Sequence, residues 1–200
     1  RLRSRGLGDV YKRQELNVAV GAALLGLHTG VISKLPAHDI GSFMKGKIRS
    51  FGVSDDFFMY DQSSSARVGI YYYENGAYPR KPKVIYDRNN SSFFSLNIDE
   101  IPEEVYTASK CFHTTGITLA LNEDIRETTI DMIKRFKAAG TLVSFDVNFR
   151  GNLWTGDEAR ECILRILPYV DIFFCSEDTA RLTFLKTGTC LLYTSDAADE

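Results

Sequence analysis

Thr141–Trp154 reads TLVSFDVNFRGNLW, and this stretch decides the fold. An apolar run that starts at Leu142 breaks abruptly at Asp146 into a polar segment carrying Asn148 and Arg150. A helix-like segment, Asp124–Ala139, precedes it and ends at Gly140, a residue suited to the left-handed close of a helix. A second helical segment follows at Gly156–Leu167. Helix, buried strand, polar loop and helix in succession spell a parallel α/β sheet, in which ligands bind beyond the carboxyl ends of the strands. Asp146, Asn148 and Arg150 stand at such an end, and all three side chains can hold hydroxyl or phosphate oxygens. The plainer reading is that Asp146 and Asn148 shape a turn while Arg150 is solvated.

Outward from this stretch the same rhythm continues. Lys110–Thr114 reads as a strand opening into TTGITLAL, and Asn122 is placed to cap the next helix, with Glu123, Asp124 and Glu127 near its positive end. On the other side, Asp171–Cys175 reads as a strand and Ser176 as the cap of a last helix, SEDTARLTFLK. Nearer the start, Glu15–His28 carries small residues and leucines on a helical period, with the polar amide Asn17 in its first turn. An amide there is more often a cap than a ligand. Val31–Leu35 reads as a short strand and Ile40–Phe51 as an amphipathic helix closed by Gly52.

Between these α/β portions the pattern changes. Phe57–Tyr60, Arg67–Glu74 and Lys83–Arg88 are rich in aromatic and β-branched residues and have no long helices between them. RVGIYYYENGAYPRKPKVIYDR predicts two strands joined by a polar loop, an antiparallel insert in an α/β chain spanning roughly 53–94. A two-stranded ribbon is marginal alone, so it is expected to pack on its own domain, on a ligand as a lid, or on a second subunit. Tyr71, Tyr72, Tyr73 and Tyr86 fit a lid surface, and they also fit ordinary strand propensity.

Composition narrows the function. With 44% hydrophobic and 25% charged residues, the chain falls in the ordinary globular range. A net charge of −2 provides no basic footprint for nucleic acid, and no apolar run is long enough to span a membrane. Cys111, Cys162 and Cys175 lie in apolar contexts without metal-type spacing, which predicts buried reduced thiols in a cytoplasmic protein and no metal site. No glycine-rich phosphate loop of the Walker type occurs, and no G-x-G-x-x-G follows a strand, which disfavours a nicotinamide-dependent dehydrogenase.

The two ends read differently from the rest. Ser4–Gln14, SRGLGDVYKRQ, and Cys190–Ser195, CLLYTS, can be encoded by one DNA element read on its two strands. That element resembles the transposase end of sequencing-library adapters. Residues 1–14 and 190–200 are therefore expected to be foreign to the gene, and residues 15–189 to form a partial domain truncated at both ends.

Four segments taken in order resemble the ribokinase-like (PfkB) carbohydrate kinases, especially their 2-keto-3-deoxygluconate kinase branch. ELNVAVGAALLGLHTGVISKLP is similar to the family's first signature, G-G-A-E-x-N-x-A, and RVGIYYYENGAYPRKPKVIYDRNNSS is similar to its substrate-covering lid. FHTTGITLAL and SFDVNFRGNLW resemble two further family segments. The resemblance implies a parallel sheet flanked by helices with a small antiparallel β lid, and an enzyme that uses ATP and Mg²⁺ to phosphorylate the terminal hydroxyl of a sugar acid. It implies that Asn17 binds sugar hydroxyls, that Tyr71 and Tyr86 line the lid, and that Arg88 faces the substrate carboxylate. It further implies that Asn148 and Arg150 lie near the transferred phosphate, with Arg150 also within reach of substrate, and it sets Ser176 beside the nucleotide. A homo-oligomer through the lid is one way for the ribbon, marginal alone, to find a partner. Pro36, Leu119, Ser176 and Thr179 depart from the family pattern, replacing a glycine, a proline, and the asparagine and glutamate of N-x-x-E. The family's G-A-G-D segment, with its aspartate general base, falls beyond Thr189, so residues 1–200 are expected to be inactive. A neutral-sugar kinase of the fructose type and a non-catalytic sugar-binding relative remain the alternatives.

Overall fold

The computed structural model describes residues 14–184. The readings of the two end peptides, and of everything beyond Phe184, lie outside the described residues. The chain divides between Pro102 and Glu103 into two compact units.

In the first unit, α1 (Gln14–Leu24) is closed by Gly26 at φ 87°, whose N–H donates to Ala23 O at 2.9 Å. Strand β1 (Thr29–Gly30) is followed by β2 (Ser33–Pro36) and by α2 (Asp39–Arg49), then β3 (Val53–Ser54) and β4 (Phe58–Asp61). Strand β1 pairs with β3 and β2 with β4, both in parallel. One side of α1 lies on this layer: Leu16, Leu35, Ile48, Val53 and Phe58 form a buried cluster, with Ala19, Val20 and Ala23 packed against it. The small residues of the first helix thus do what their size allows, bringing α1 close to the strands.

The antiparallel insert expected over 53–94 is narrower than that. Only β5 (Ile70–Glu74) and β6 (Lys83–Asp87) pair antiparallel; β3 and β4, within the same span, run parallel to their partners. The reason is topological: β4 is reached from β2 through helix α2, and a helical crossover returns the chain in the same direction. The single parallel sheet is also interrupted. Thr29 pairs with Val53 but Ser33 with Phe58, so one extra residue sits on the second strand. The extra residue is taken up in a turn where Asp56 N–H donates to Ser54 Oγ at 3.1 Å and Phe58 N–H to Asp55 O at 3.2 Å, a bulge that splits one pairing into two. Two 3-10 turns, Ser92–Ser95 and Ile98–Glu100, complete the unit, held to β2 by Lys34, which donates to Ser95 O at 3.0 Å and Glu100 Oε1 at 2.7 Å.

The second unit runs α3 (Glu104–Ala108), β7 (Cys111–Thr115), α4 (Gly116–Leu119), α5 (Glu123–Ala138), β8 (Leu142–Asp146), α6 (Gly156–Ile166), β9 (Ile172–Phe174) and α7 (Glu177–Phe184). The three strands form a parallel sheet in the order β7-β8-β9. Helix α5 buries Ile125, Thr129, Ile130, Met132, Ile133 and Phe136, a stripe at helical spacing, and its cap is Asn122, whose side chain accepts from Ile125 N at 2.8 Å. Helix α6 starts from a capping box: Thr155 Oγ1 accepts from Glu158 N at 3.2 Å, and Glu158 accepts from Thr155 N at 2.7 Å. The bidentate Arg165–Glu127 pair, at 2.6–2.7 Å, links α6 to α5. Strand β8 is the interior strand, with Val143 and Phe145 wholly buried.

One expectation is corrected here. The cysteines are not uniformly buried: Cys162 is, Cys175 is half-buried, and Cys111 is exposed at the first position of the edge strand β7. Strand β9 is substantially exposed, with Ile172 41%, Phe173 37% and Phe174 53% exposed. Among the described residues β9 is an edge, so its apolar composition has a neighbour on one side only. No helix among the described residues is long and apolar enough to cross a membrane.

Candidate active site

In the first unit the candidate residues gather on the ribbon. Tyr71 and Tyr86 are directly opposed across β5 and β6, their ring centroids 6.3 Å apart. Arg88, one residue past β6, lays its guanidinium over the Tyr86 ring at 4.9 Å. The acid next to it in sequence is already engaged: Arg67 Nη2 donates to Asp87 Oδ2 at 2.7 Å, and this pairing holds the Asp87 carboxyl below the usual carboxylate range. Arg67 also donates to the carbonyls of Asp87 and Asn89, so it pins the strand end from which Arg88 projects. Arg88 therefore does not pair with Asp87, and among the described residues it has no carboxylate partner. Behind it stands Gly69, where a Cβ would lie 3.1 Å from Arg88 Cβ. Sequence reasoning missed Gly69; a glycine just before a strand is the signal that a backbone passes close by. Asn17 lies in the first turn of α1 and is exposed.

In the second unit Thr115, Asp146 and Phe174 are in register at the carboxyl ends of the three strands. Asp146 occupies the middle, and its Oδ1 accepts from Asn148 N at 3.1 Å. Asn148 adopts φ 39°, a left-handed conformation that asparagine tolerates better than most residues. Its side-chain Nδ2 is buried without a partner among the described residues. Arg150 is exposed, with Nη1 donating to the neighbouring Phe149 O at 3.1 Å. Ser176 follows β9 and caps α7: its Oγ accepts from Thr179 N at 3.3 Å and lies 2.9 Å from Thr179 Oγ1. The turn-forming reading and the functional reading of Asp146 and Asn148 thus meet in one loop, because the turn leaves their oxygens and amide at the strand ends.

The loop after β8 is held by a close approach that the sequence does not announce. A Cβ on Gly116 would sit 2.1 Å from Val147 O and 3.4 Å from Trp154 Cζ2, so only glycine allows the start of α4 to lie against this loop. Trp154 is 5% exposed, and the Arg126 guanidinium stands 6.0 Å from its ring centroid. No group of three or more His, Cys, Asp or Glu side chains able to hold a metal ion occurs among the described residues.

Residues 14–197 match the profile of the pfkB family carbohydrate kinases. The chain belongs to that family. It is 34% identical over 186 residues to a 2-dehydro-3-deoxygalactonokinase from Haloferax volcanii, covering 93% of this chain and 58% of that protein. It is 30% identical over 151 residues to a 2-dehydro-3-deoxygluconokinase from Bacillus subtilis, covering 76% of this chain and 45% of that one. The crystal structure of a 2-dehydro-3-deoxygluconokinase from Thermotoga maritima superposes with a TM-score of 0.85 at 27% identity, covering 99% of this chain and 63% of that one. This pfkB chain thus spans less than two thirds of the length of these relatives. Its mixed α/β fold, with parallel sheets and one small antiparallel pair, matches the ribokinase-like structure. The family match runs on to Ala197, across the peptide Cys190–Ser195.

Proposed function

We propose that the protein to which these residues belong is an ATP-dependent kinase that phosphorylates the terminal hydroxyl of a 2-keto-3-deoxy sugar acid. The observation that carries this reading is Arg88, stacked on Tyr86 while its neighbour Asp87 is taken by Arg67. A planar guanidinium with no carboxylate partner among the described residues matches a carboxylate with two parallel hydrogen bonds. Tyr71 and Tyr86 present rings and hydroxyls to the sugar, Asn17 holds sugar hydroxyls, and the ribbon acts as the lid that excludes water. Asn148, Arg150 and Ser176 serve the phosphate end, with Arg150 also contacting substrate. ATP is the donor, and Mg²⁺ enters only as the counter-charge on its phosphates. Phosphoryl transfer of this kind relies on positioning and electrostatic stabilisation.

The names of the Haloferax, Bacillus and Thermotoga relatives support the sugar-acid class. The general base belongs, on this reading, to the segment beyond Thr189, and residues 1–200 alone turn over no ATP. The complementary coding of Ser4–Gln14 and Cys190–Ser195 supports treating both end peptides as foreign, and sequencing the locus from genomic DNA tests it directly. The reaction is tested by following ADP release from the complete reading frame with 2-keto-3-deoxygluconate, 2-keto-3-deoxygalactonate and fructose. Turnover of either acid over fructose is expected. Turnover of fructose alone would replace this reading with a neutral-sugar kinase, and binding without turnover with a non-catalytic relative.

A further inference from the structure

Arg88 opens a turn that is held from across the ribbon. Its carbonyl accepts from Ser91 N at 3.3 Å, and Asn90 closes the bend with a left-handed φ of 55°. Arg67 Nη2 donates to Asp87 Oδ2 at 2.7 Å and to Asp87 O at 3.4 Å, while Nη1 donates to Asn89 O at 3.3 Å. One guanidinium thus bonds the residues on both sides of Arg88. The backbone of Arg67 is itself fixed on the buried Ser92. Its N–H donates to Ser92 Oγ at 3.2 Å, and its carbonyl accepts from Ser92 N at 2.8 Å. A second observation is independent of this clamp. Ile70 pairs with Asp87, and the same antiparallel register carried one residue further sets Gly69 opposite Arg88. Cross-strand Cβ atoms ordinarily stand about 4.5–5.5 Å apart, whereas a Cβ on Gly69 would lie 3.1 Å from Arg88 Cβ. Arg88 is therefore seated against bare backbone, with its guanidinium over the Tyr86 ring at 4.9 Å.

We propose that Arg67, with Gly69 beside it, is the positioning element for Arg88, acting on substrate only through the Arg88 guanidinium. On the sugar-acid reading, on which this inference rests for its substrate, Arg67 and Gly69 thereby help set the preference for an acid over a neutral sugar. Arg67 is suited to this task because its planar fork reaches two residues at once, which a lysine ammonium on the same stem does not. Its charge is already matched by Asp87, so its part is to hold the turn and leave the carboxylate to Arg88. A guanidinium displaced from its binding geometry forfeits the paired hydrogen bonds that distinguish a carboxylate.

The test is a double-mutant cycle in the complete reading frame, with kcat/KM measured on 2-keto-3-deoxygluconate and on fructose. Arg67→Ala is expected to lose about 10-fold on the acid and less than about 2-fold on fructose. In the Arg88→Ala background the same change should cost less than about 2-fold on the acid, because no guanidinium is left to position. A direct effect of the Arg67 charge on the substrate would persist in that background, and so would a general loosening of the ribbon. Either result would overturn the proposal. Arg67→Lys keeps the charge and should recover only part of the loss. Gly69→Ala pushes Arg88 without removing any charge, and a selective loss of about 3-fold on the acid is expected, again absent once Arg88 is alanine. If Arg67→Ala does not fold, the Gly69→Ala cycle decides the matter. Selective loss of the acid in Arg88→Ala, with none in Arg67→Ala or Gly69→Ala, would sink this inference and spare the kinase reading. Equal losses on both sugars in Arg88→Ala, with Arg67→Ala adding nothing in that background, would do the reverse. Arg88→Ala without loss on either sugar would sink both.

Discussion

Replacing Gly116 with alanine tests the packing that shapes the loop after β8. The new Cβ would meet Val147 O at 2.1 Å, whereas such contacts do not fall below 3.0 Å, so the carbonyl must retreat by about 0.9 Å. It has little room to do so. Val147 is wholly buried and its N–H donates to Phe174 O at 2.9 Å, while the new Cβ itself would also lie 3.4 Å from Trp154 Cζ2. Overpacking of this kind costs about 1–3 kcal/mol. Loss of the Val147–Phe174 hydrogen bond adds about 1 kcal/mol. The better helix propensity of alanine returns at most about 1 kcal/mol. A net loss of about 2 kcal/mol is expected, which for a unit of this size lowers Tm by roughly 8–16 °C. Thermal and urea unfolding followed by circular dichroism measure it, and Trp154 emission reports whether the loop opens. Gly151→Ala is the control, since its Cβ would find Phe149 Cε1 at a comfortable 3.6 Å, and a change within about 0.5 kcal/mol is expected. A Gly116→Ala protein that melts with the unmodified chain would refute the close approach.

Thr155→Ala removes the hydroxyl half of the α6 capping box and is expected to destabilise by about 1 kcal/mol in urea unfolding, while Thr155→Ser loses little. Asp171 is held below the usual carboxylate range by Lys137 and by the backbone N–H of Val143, which donates to it at 2.8 Å. Its ionised form therefore favours the native state, and that contribution is complete above about pH 4 and lost as pH falls through the depressed value. Asp171→Asn should melt lower than the unmodified chain in calorimetric scans at about pH 7, and the gap should close by about pH 2. A gap that stays constant over that range would remove Asp171 from the acid sensitivity of the sheet.

Much of the second unit was legible in sequence because its signals are local. The apolar run to Asp146, the cap at Asn122 and the stop at Gly140 each act within one turn or one strand, and β8 and α5 appear where those signals set them. Ser176 was legible as a cap for the same reason. The pairing of Phe58–Asp61 was not, because an aromatic strand looks alike in a hairpin and in a parallel pair; its direction is set by α2, several residues upstream. The exposure of β9 and Cys111 depends on which strands stand beside them, and no residue within the strand encodes its neighbour. In the candidate site the residue types at the strand ends were readable. The glycine that wedges the loop was not, since Gly116 and Val147 lie more than 30 residues apart in the chain and meet only in space. Arg88 falls between these cases: its position after β6 was legible, whereas its freedom from Asp87 depends on Arg67, across the ribbon.

Arg88 is also where the sugar-acid reading is most exposed to test. In the complete reading frame, kcat/KM for 2-keto-3-deoxygluconate and for fructose would be compared among the unmodified enzyme, Arg88→Ala and Arg88→Lys. If the guanidinium holds the substrate carboxylate, Arg88→Ala is expected to lose about 1.5–3 kcal/mol on the acid, roughly 10- to 150-fold, and little on fructose. Lysine, a point charge without the planar fork, should recover only part of that loss. Equal losses on both sugars, or none on either, would contradict a carboxylate at Arg88 and with it the sugar-acid kinase.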